Sequence, residues 1–350
     1  MEFAFNEEQA MIAETVQAFF AENATSERTR AAMEADGIDR ELWASFCMEL
    51  GLSGIGIAEE DGGVGLGMVE LAIVAEAAGS QVSAIPLLGL ATAGQAIAAG
   101  GSAAQKEQWL GALVSGEAIA AAAHAPAIRA VGGRLSGTVP FVAHGGLADV
   151  LVLVGEDAAW LVATGDAGVT VTRHTTMDQT RPLATVTLDG AAGAALDFAG
   201  ARDALHAAGW VCLAAEALGG AQATLERTVQ YSTERMQFGR PIGSFQAYKH
   251  RLADMMVLIE QARSAVYWAA CAVDEGAPEA QLALHCAKAF CADTYFECAG
   301  HMIQLHGGIG FTWEHDAHLF FKRATSIRSM MGDGDWHREQ VARLTIGEAA

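Results

Sequence analysis

The chain has 350 residues, of which 52% are hydrophobic and 18% charged, against a usual charged share of about 25%. Its net charge of -21, from 21 Lys and Arg against 42 Asp and Glu, argues against nucleic acid or an anionic membrane as partner. So little charge on a chain of one large or two to three smaller domains points to surface buried against other subunits. It also makes the placement of the few cations informative.

No run of about 18 apolar residues is free of charge or helix breakers, so no transmembrane span is expected. The start, Met1-Glu2-Phe3-Ala4-Phe5-Asn6-Glu7-Glu8, is acidic and lacks the basic opening of a signal peptide. Cys271, Cys286, Cys291 and Cys298 fall on helical patterns, and no CxxC pair occurs. They read as buried, reduced thiols of a cytoplasmic protein, with no metal site expected.

Residues 6–120 read as helical. Phe5, Gln9, Ile12, Val16 and Phe19/Phe20 recur at helical spacing. A Gly-rich break at 51–67 follows, then a helix from Val69 to Ala78 and helices around 88–100 and 104–115. Between 121 and 200 the pattern turns to short β-branched runs, Val150–Val154, Trp160–Ala163, Val169–Thr172 and Ala184–Leu188, punctuated by Gly and Asp. This predicts a small β-sandwich or barrel. After Ala201 a stripe of Leu205, Ala208, Cys212, Ala215, Leu218, Leu225 and Val229 predicts a helix. Further helices are expected over 246–275, 278–305, 316–331 and 336–346. The fold expected is α+β and multi-domain: an N-terminal helical bundle over 1–120, a middle β domain over 121–200 and a C-terminal four-helix bundle over 201–350.

Two breaks between helices carry chemistry. In the first, Arg235 offers a fork of donors suited to a pyrophosphate, Phe238 an apolar cover, Gly239 and Pro241 a turn, and Gln246 an amide. The plainer reading is a helix–helix turn in which Arg235 pairs with a nearby carboxylate. In the second, Gln304 ends a helix, and Gly307 and Gly308 leave room for backbone amides to approach an anion. The plainer reading there is a glycine cap. His306, between them, is given no catalytic role.

Arg235-Met236-Gln237-Phe238-Gly239 with Gln246, Gln304 with Gly307-Gly308 and Gly310-Phe311, the opening Phe5–Gln9 and the turn Glu59–Gly65 together resemble the acyl-CoA dehydrogenase family over nearly the whole chain. The resemblance implies FAD bound across a subunit interface, with Arg235, Phe238, Gly239, Gln246, Gln304, Gly307 and Gly308 holding the pyrophosphate and adenine of a neighbour's cofactor. It also implies an acyl-CoA substrate and an electron-transfer flavoprotein as acceptor.

Other positions depart from the family pattern. Counting forward from Gln304 places Met331 where the catalytic glutamate is expected, and counting back from Phe238 places Gly209 at the alternative position. A thioether cannot take a proton. Asp333 and Glu216 are the nearest substitutes. His124-Ala125-Pro126-Ala127-Ile128 stands for a longer loop over flavin and substrate, and Phe141-Val142-Ala143 for a Trp-x-Thr-like strand. The chain therefore resembles the base-less subunits of bacterial α2β2 steroid side-chain acyl-CoA dehydrogenases, whose partner is a homologous catalytic subunit. A self-sufficient homotetramer with a relocated base and a non-enzymatic scaffold or acyl-CoA-binding subunit are the alternatives.

Overall fold

The computed structural model describes residues 4–347, so Met1–Phe3 of the acidic opening lie outside the described residues. Packing divides the chain into two units, one holding residues 27–71 and 84–209, the other the residues up to 26, 72–83 and those from 210 onward.

In the first of these, the middle of the chain forms a sandwich of two four-stranded sheets. One sheet runs β1 (Ala120–His124), β4 (Val150–Val154), β5 (Ala159–Ala163), β8 (Ala194–Leu196), with β1 parallel to β4 and the rest antiparallel. The other runs β2 (Arg129–Val131), β3 (Arg134–Ala143), β7 (Leu183–Ala192), β6 (Val169–Arg173), all antiparallel. Leu151, Leu153 and Val162 from the first sheet meet Leu135, Val139, Val186 and Leu188 from the second, all buried. This is the alternation expected when two sheets share one core.

Three strands of the sandwich, and all of β3 before Phe141, escaped the sequence reading for identifiable reasons. β1 is four alanines and a histidine, without a β-branched residue. Its small side chains suit a close approach of α5 (Leu87–Gly100), where a Cβ on Gly89 would stand 2.0 Å from the carbonyl oxygen of Ala120. β3 carries Gly137 and Pro140 and reads as broken, but a register shift between Val139 and Val142 absorbs the proline as a bulge. β2 and β8 have three residues each.

In the second unit, α8 (Gln246–Asp274), α10 (Ala317–Ser329) and α11 (Gly334–Ile346) all pack on α9 (Ala280–His306). Buried residues from Leu284 through Tyr295 to Met302 cover most of the circumference of α9 and make it the centre of this unit, while Gln281, Glu297 and Gln304 stay exposed. α7 (Phe198–Glu234) begins in the first unit and continues into the second. By length and composition it could cross a membrane, but 83% of its apolar window is buried inside the protein. Of its predicted stripe, Leu205, Ala208, Cys212, Ala215, Leu218 and Leu225 are buried, and Val229 is exposed.

α4 (Met68–Ser80) crosses α7 where both helices carry glycine. A Cβ on Gly219 would lie 1.8 Å from the Glu76 carbonyl oxygen, and one on Gly79 would lie 2.2 Å from that of Glu216. No backbone can yield to a methyl group at such contacts without the helices parting. Gly219→Ala should therefore destabilise the protein by about 1–3 kcal/mol through overpacking, measured as a lowered urea midpoint. An unchanged midpoint would show that the crossing is not fixed.

Candidate functional site

α7 runs out at Glu234, and Arg235 donates its backbone N–H to Tyr231. A two-residue hairpin follows, β9 (Met236–Gln237) against β10 (Arg240–Pro241), with Gln237 opposite Arg240. Its turn places Phe238 at φ 51° and Gly239 at φ 76°. Glycine suits the left-handed region, whereas a phenylalanine held there is uncommon. The ring is 92% exposed and meets Phe245 edge-on, with 6.2 Å between centroids. A single turn, Ile242–Ser244, leads into α8, whose first residue is Gln246.

The end of α9 comes alongside. Gly307 adopts φ 63° and donates its N–H to the Gln304 carbonyl, so this amide closes the helix and is not available to an anion. The expectation for Gly307 is corrected to that extent. Added Cβ atoms on Gly307 or Gly308 would meet nothing within 4 Å, so the backbone here borders open space.

Together these ends enclose a cleft of about 460 Å³. Arg235, Phe238, Gln304, Gly307 and Gly308 line it, with Tyr231, Tyr248 and His306 among the other lining residues. Gly239 and Gln246 do not line it. The guanidinium of Arg235 makes no hydrogen bond or ion pair with any described residue, which removes the plainer reading of that arginine. Tyr248 and Tyr231 donate their hydroxyls to the carbonyls of Leu305 and His306, at 3.2 and 3.4 Å. Tyr231 stacks on His306 at 4.4 Å, and His306 Nδ1 donates to Met302 at 2.7 Å. Burial, opposed by that carbonyl, lowers the His306 pKa, with His315 adding to the lowering. His306 is thus a structural, neutral ring in the cleft.

The turn between α10 and α11 holds Met331 at φ 52° and Gly332 at φ 99°. The carbonyls of Met331 and Gly332 are both taken by buried donors. Trp210 Nε1 lies 2.9 Å and His337 Nε2 3.1 Å from the Met331 oxygen, and Lys288 Nζ lies 3.2 Å from that of Gly332 and 3.1 Å from that of Ile327. Because His337 Nε2 donates, its Nδ1 accepts, and His285 Nδ1, 2.8 Å away, supplies the proton. Both rings are neutral in this arrangement. Burial lowers the His285 pKa to about 4. Burial, then Lys288 and His285, lowers that of His337 to about 3. Lys288, 0% exposed, falls to about 8 through burial, opposed by Asp293. Sequence reasoning missed this cluster, since residues 210, 285, 288 and 337 share no spacing. The one available signal was a lysine flanked by alanines within an apolar stretch of its helix.

Neither substitute carboxylate stands as a free base. Asp333 is the N-cap of α11, accepting from the Trp336 N–H at 2.8 Å. Glu216 is 5% exposed and ion-paired with Arg323 Nη1 at 2.5 Å. In the sandwich, the connection after His124 is the four residues 125–128, tied by the Ile128 N–H to the Ala125 carbonyl. Phe141 occupies the β3 bulge at φ 56° with its ring exposed, 5.7 Å from His174.

The chain matches the acyl-CoA dehydrogenase N-terminal domain over residues 6–117 and the acyl-CoA dehydrogenase C-terminal domain over residues 200–345. It is 35% identical over 343 residues to acyl-CoA dehydrogenase IpdE2 of Mycolicibacterium smegmatis, covering 97% of this chain and 98% of that one. It is 37% identical over 345 residues to IpdE2 of Mycobacterium tuberculosis, covering 97% and 96%. Among solved structures it resembles a chain of the Tcur3481-Tcur3483 steroid ACAD, with a TM-score of 0.89, 30% identity and coverage of 97% and 98%. It also resembles a chain of the ChsE4-ChsE5 complex from Mycobacterium tuberculosis, with a TM-score of 0.91, 28% identity and full coverage of both. This chain belongs to the acyl-CoA dehydrogenase family.

Two outcomes follow from the buried groups. Unfolding exposes His285 and His337, which then take up protons near their ordinary pKa of about 6.5, while the folded state stays neutral until about 4 and about 3. The unfolded state binds more protons in that window, so stability should fall as pH drops from about 6.5. Urea titrations from pH 7 to 4 would show this, with less slope in a His285→Phe variant; equal slopes would contradict it. Glu216→Gln breaks the buried Arg323–Glu216 ion pair and should cost about 3–5 kcal/mol, read as a lowered urea midpoint.

Proposed function

We propose that this chain is a non-catalytic subunit of a hetero-oligomeric, FAD-dependent acyl-CoA dehydrogenase and completes the FAD site of a homologous catalytic subunit. The contrast that carries the reading lies within one unit. The cleft presents an arginine with no carboxylate, while the two acids near the base position are engaged in a helix cap and an ion pair. A cleft built that way is prepared for an anion from outside the chain, and a turn with Met331 at its bend offers no proton acceptor.

The residues present fit the cofactor. Arg235 presents its fork to the pyrophosphate. Phe238 covers an apolar part of the dinucleotide. Gln304 offers an amide, and Gly307 and Gly308 keep the wall free of side chains. When bound, FAD supplies the acceptor for a hydride leaving the acyl chain. This chain's share is to hold and orient; the partner supplies the glutamate, the ring pocket and the acyl-CoA site. The likeness to IpdE2 and to chains of a steroid ACAD and of the ChsE4-ChsE5 complex supports a paired assembly and a bulky, ring-containing acyl-CoA. The likeness reaches the substrate by analogy of fold and sequence.

Expression of the chain alone and with the homologous subunit encoded beside it tests this. The expected result is no bound flavin and no turnover alone, and one FAD per heterodimer in the complex. Flavin and turnover in the lone chain would refute the partner role. Arg235→Ala should strip flavin from the assembled complex, as read from visible absorbance against protein; full retention would remove the cofactor role of the arginine.

A further inference from the structure

In the unit that contains the cleft, the sequence places nine arginines from Arg227 onward. Six form an ion pair with an Asp or Glu, the buried Arg323–Glu216 and the half-buried Arg263–Glu76 among them. The three without a carboxylate are Arg235, Arg240 and Arg251. Lys249 joins them, also without one among the described residues. In a chain with twice as many acids as bases, four such cations fall within residues 235–251. Glu234 and Asp254 bracket the stretch, yet neither pairs with it; Glu234 accepts from Gln230.

Each of the four cations lines the cleft or lies next to a residue that does. Arg235 lines it. Arg240 lies over the ring of Phe245, itself a lining residue, at 4.0 Å. At 100° per residue, Lys249 and Arg251 flank Tyr248, another lining residue, on the first turns of α8. All four are exposed, and Phe238 and Phe311, at 92% and 86% exposure, add uncovered aromatic surface nearby on the same helix ends. A dinucleotide brings two phosphate charges, for which Arg235 and the polar groups lining the cleft are placed. Arg240, Lys249 and Arg251 stand outside the lining and are surplus to it.

We propose that Arg240, Lys249 and Arg251 form a docking strip for a carboxylate-bearing surface of the partner subunit. The proposal rests on the heteromeric reading above. A net charge of -21 repels an extended polyanion such as nucleic acid or an anionic bilayer. A folded subunit can instead set a few carboxylates against three cations, with aromatic surface beside them to exclude water. Such charges act on encounter and register more than on total affinity.

The test is sedimentation velocity of this chain with the homologous subunit at low and high NaCl, comparing wild type, Lys249→Gln/Arg251→Gln and Lys249→Arg. Wild-type association should weaken with salt. The double variant should bind about tenfold more weakly at low salt, with a flatter salt dependence, and Lys249→Arg should behave as wild type. Flavin per assembled heterodimer should be unchanged, and thermal melts should report an intact fold. Equal affinity and salt slope in the double variant would overturn the docking strip while leaving the heteromer standing. So would normal assembly with lost flavin, which would make these cations cofactor ligands. Failure of the wild-type chain to assemble at any salt would overturn the heteromeric reading itself, and the strip with it.

Discussion

α9 is the helix on which α8, α10 and α11 all pack, and much else is arranged by that fact. Polar groups on its buried side must be satisfied from within. At one end it contributes His285 and Lys288, which are paid for in hydrogen bonds to the turn between α10 and α11. At the other it stops at Gly307, where a left-handed glycine closes the helix and opens the wall of the cleft. The cleft and the turn thus adjoin the two ends of one helix. Neither can shift without disturbing the packing of α8, α10 and α11 on the same helix.

The cleft and the turn answer to opposite electrostatic demands. In the turn, cations and imidazoles are pulled out of water and lose protons or gain carbonyl partners, so charge is suppressed. At the cleft, charge is left exposed and uncompensated, although the chain has acids to spare. Among its described residues this unit pairs six arginines and leaves three without a carboxylate along one short stretch, which concentrates positive charge beside the cleft.

Much of this was legible in the residues. The helices carried a strong apolar period, and the strands Val150–Val154 and Val169–Arg173 stood out because β-branched residues filled them. The cleft was legible because arginine, aromatic ring, glycine and carboxamide fell in two short stretches, so local sequence already held the chemistry. β1 and the part of β3 before Phe141 were hidden because alanine, glycine and proline reveal nothing until a neighbouring strand imposes the extended form. The engagement of Glu216 was hidden for a related reason: its partner Arg323 is more than a hundred residues away. The same distance conceals the His285–His337 contact, which no periodicity can announce.

Met331 is tied into the turn only by its backbone oxygen, with Trp210 and His337 as donors. The surrounding network therefore reads the shape of the chain at that position and is indifferent to what the side chain is. Selection for a stable fold can maintain tryptophan, histidine and lysine around the turn and leave position 331 free to drift. Across related chains, the hydrogen-bonded frame of the turn should persist where the residue at its bend differs.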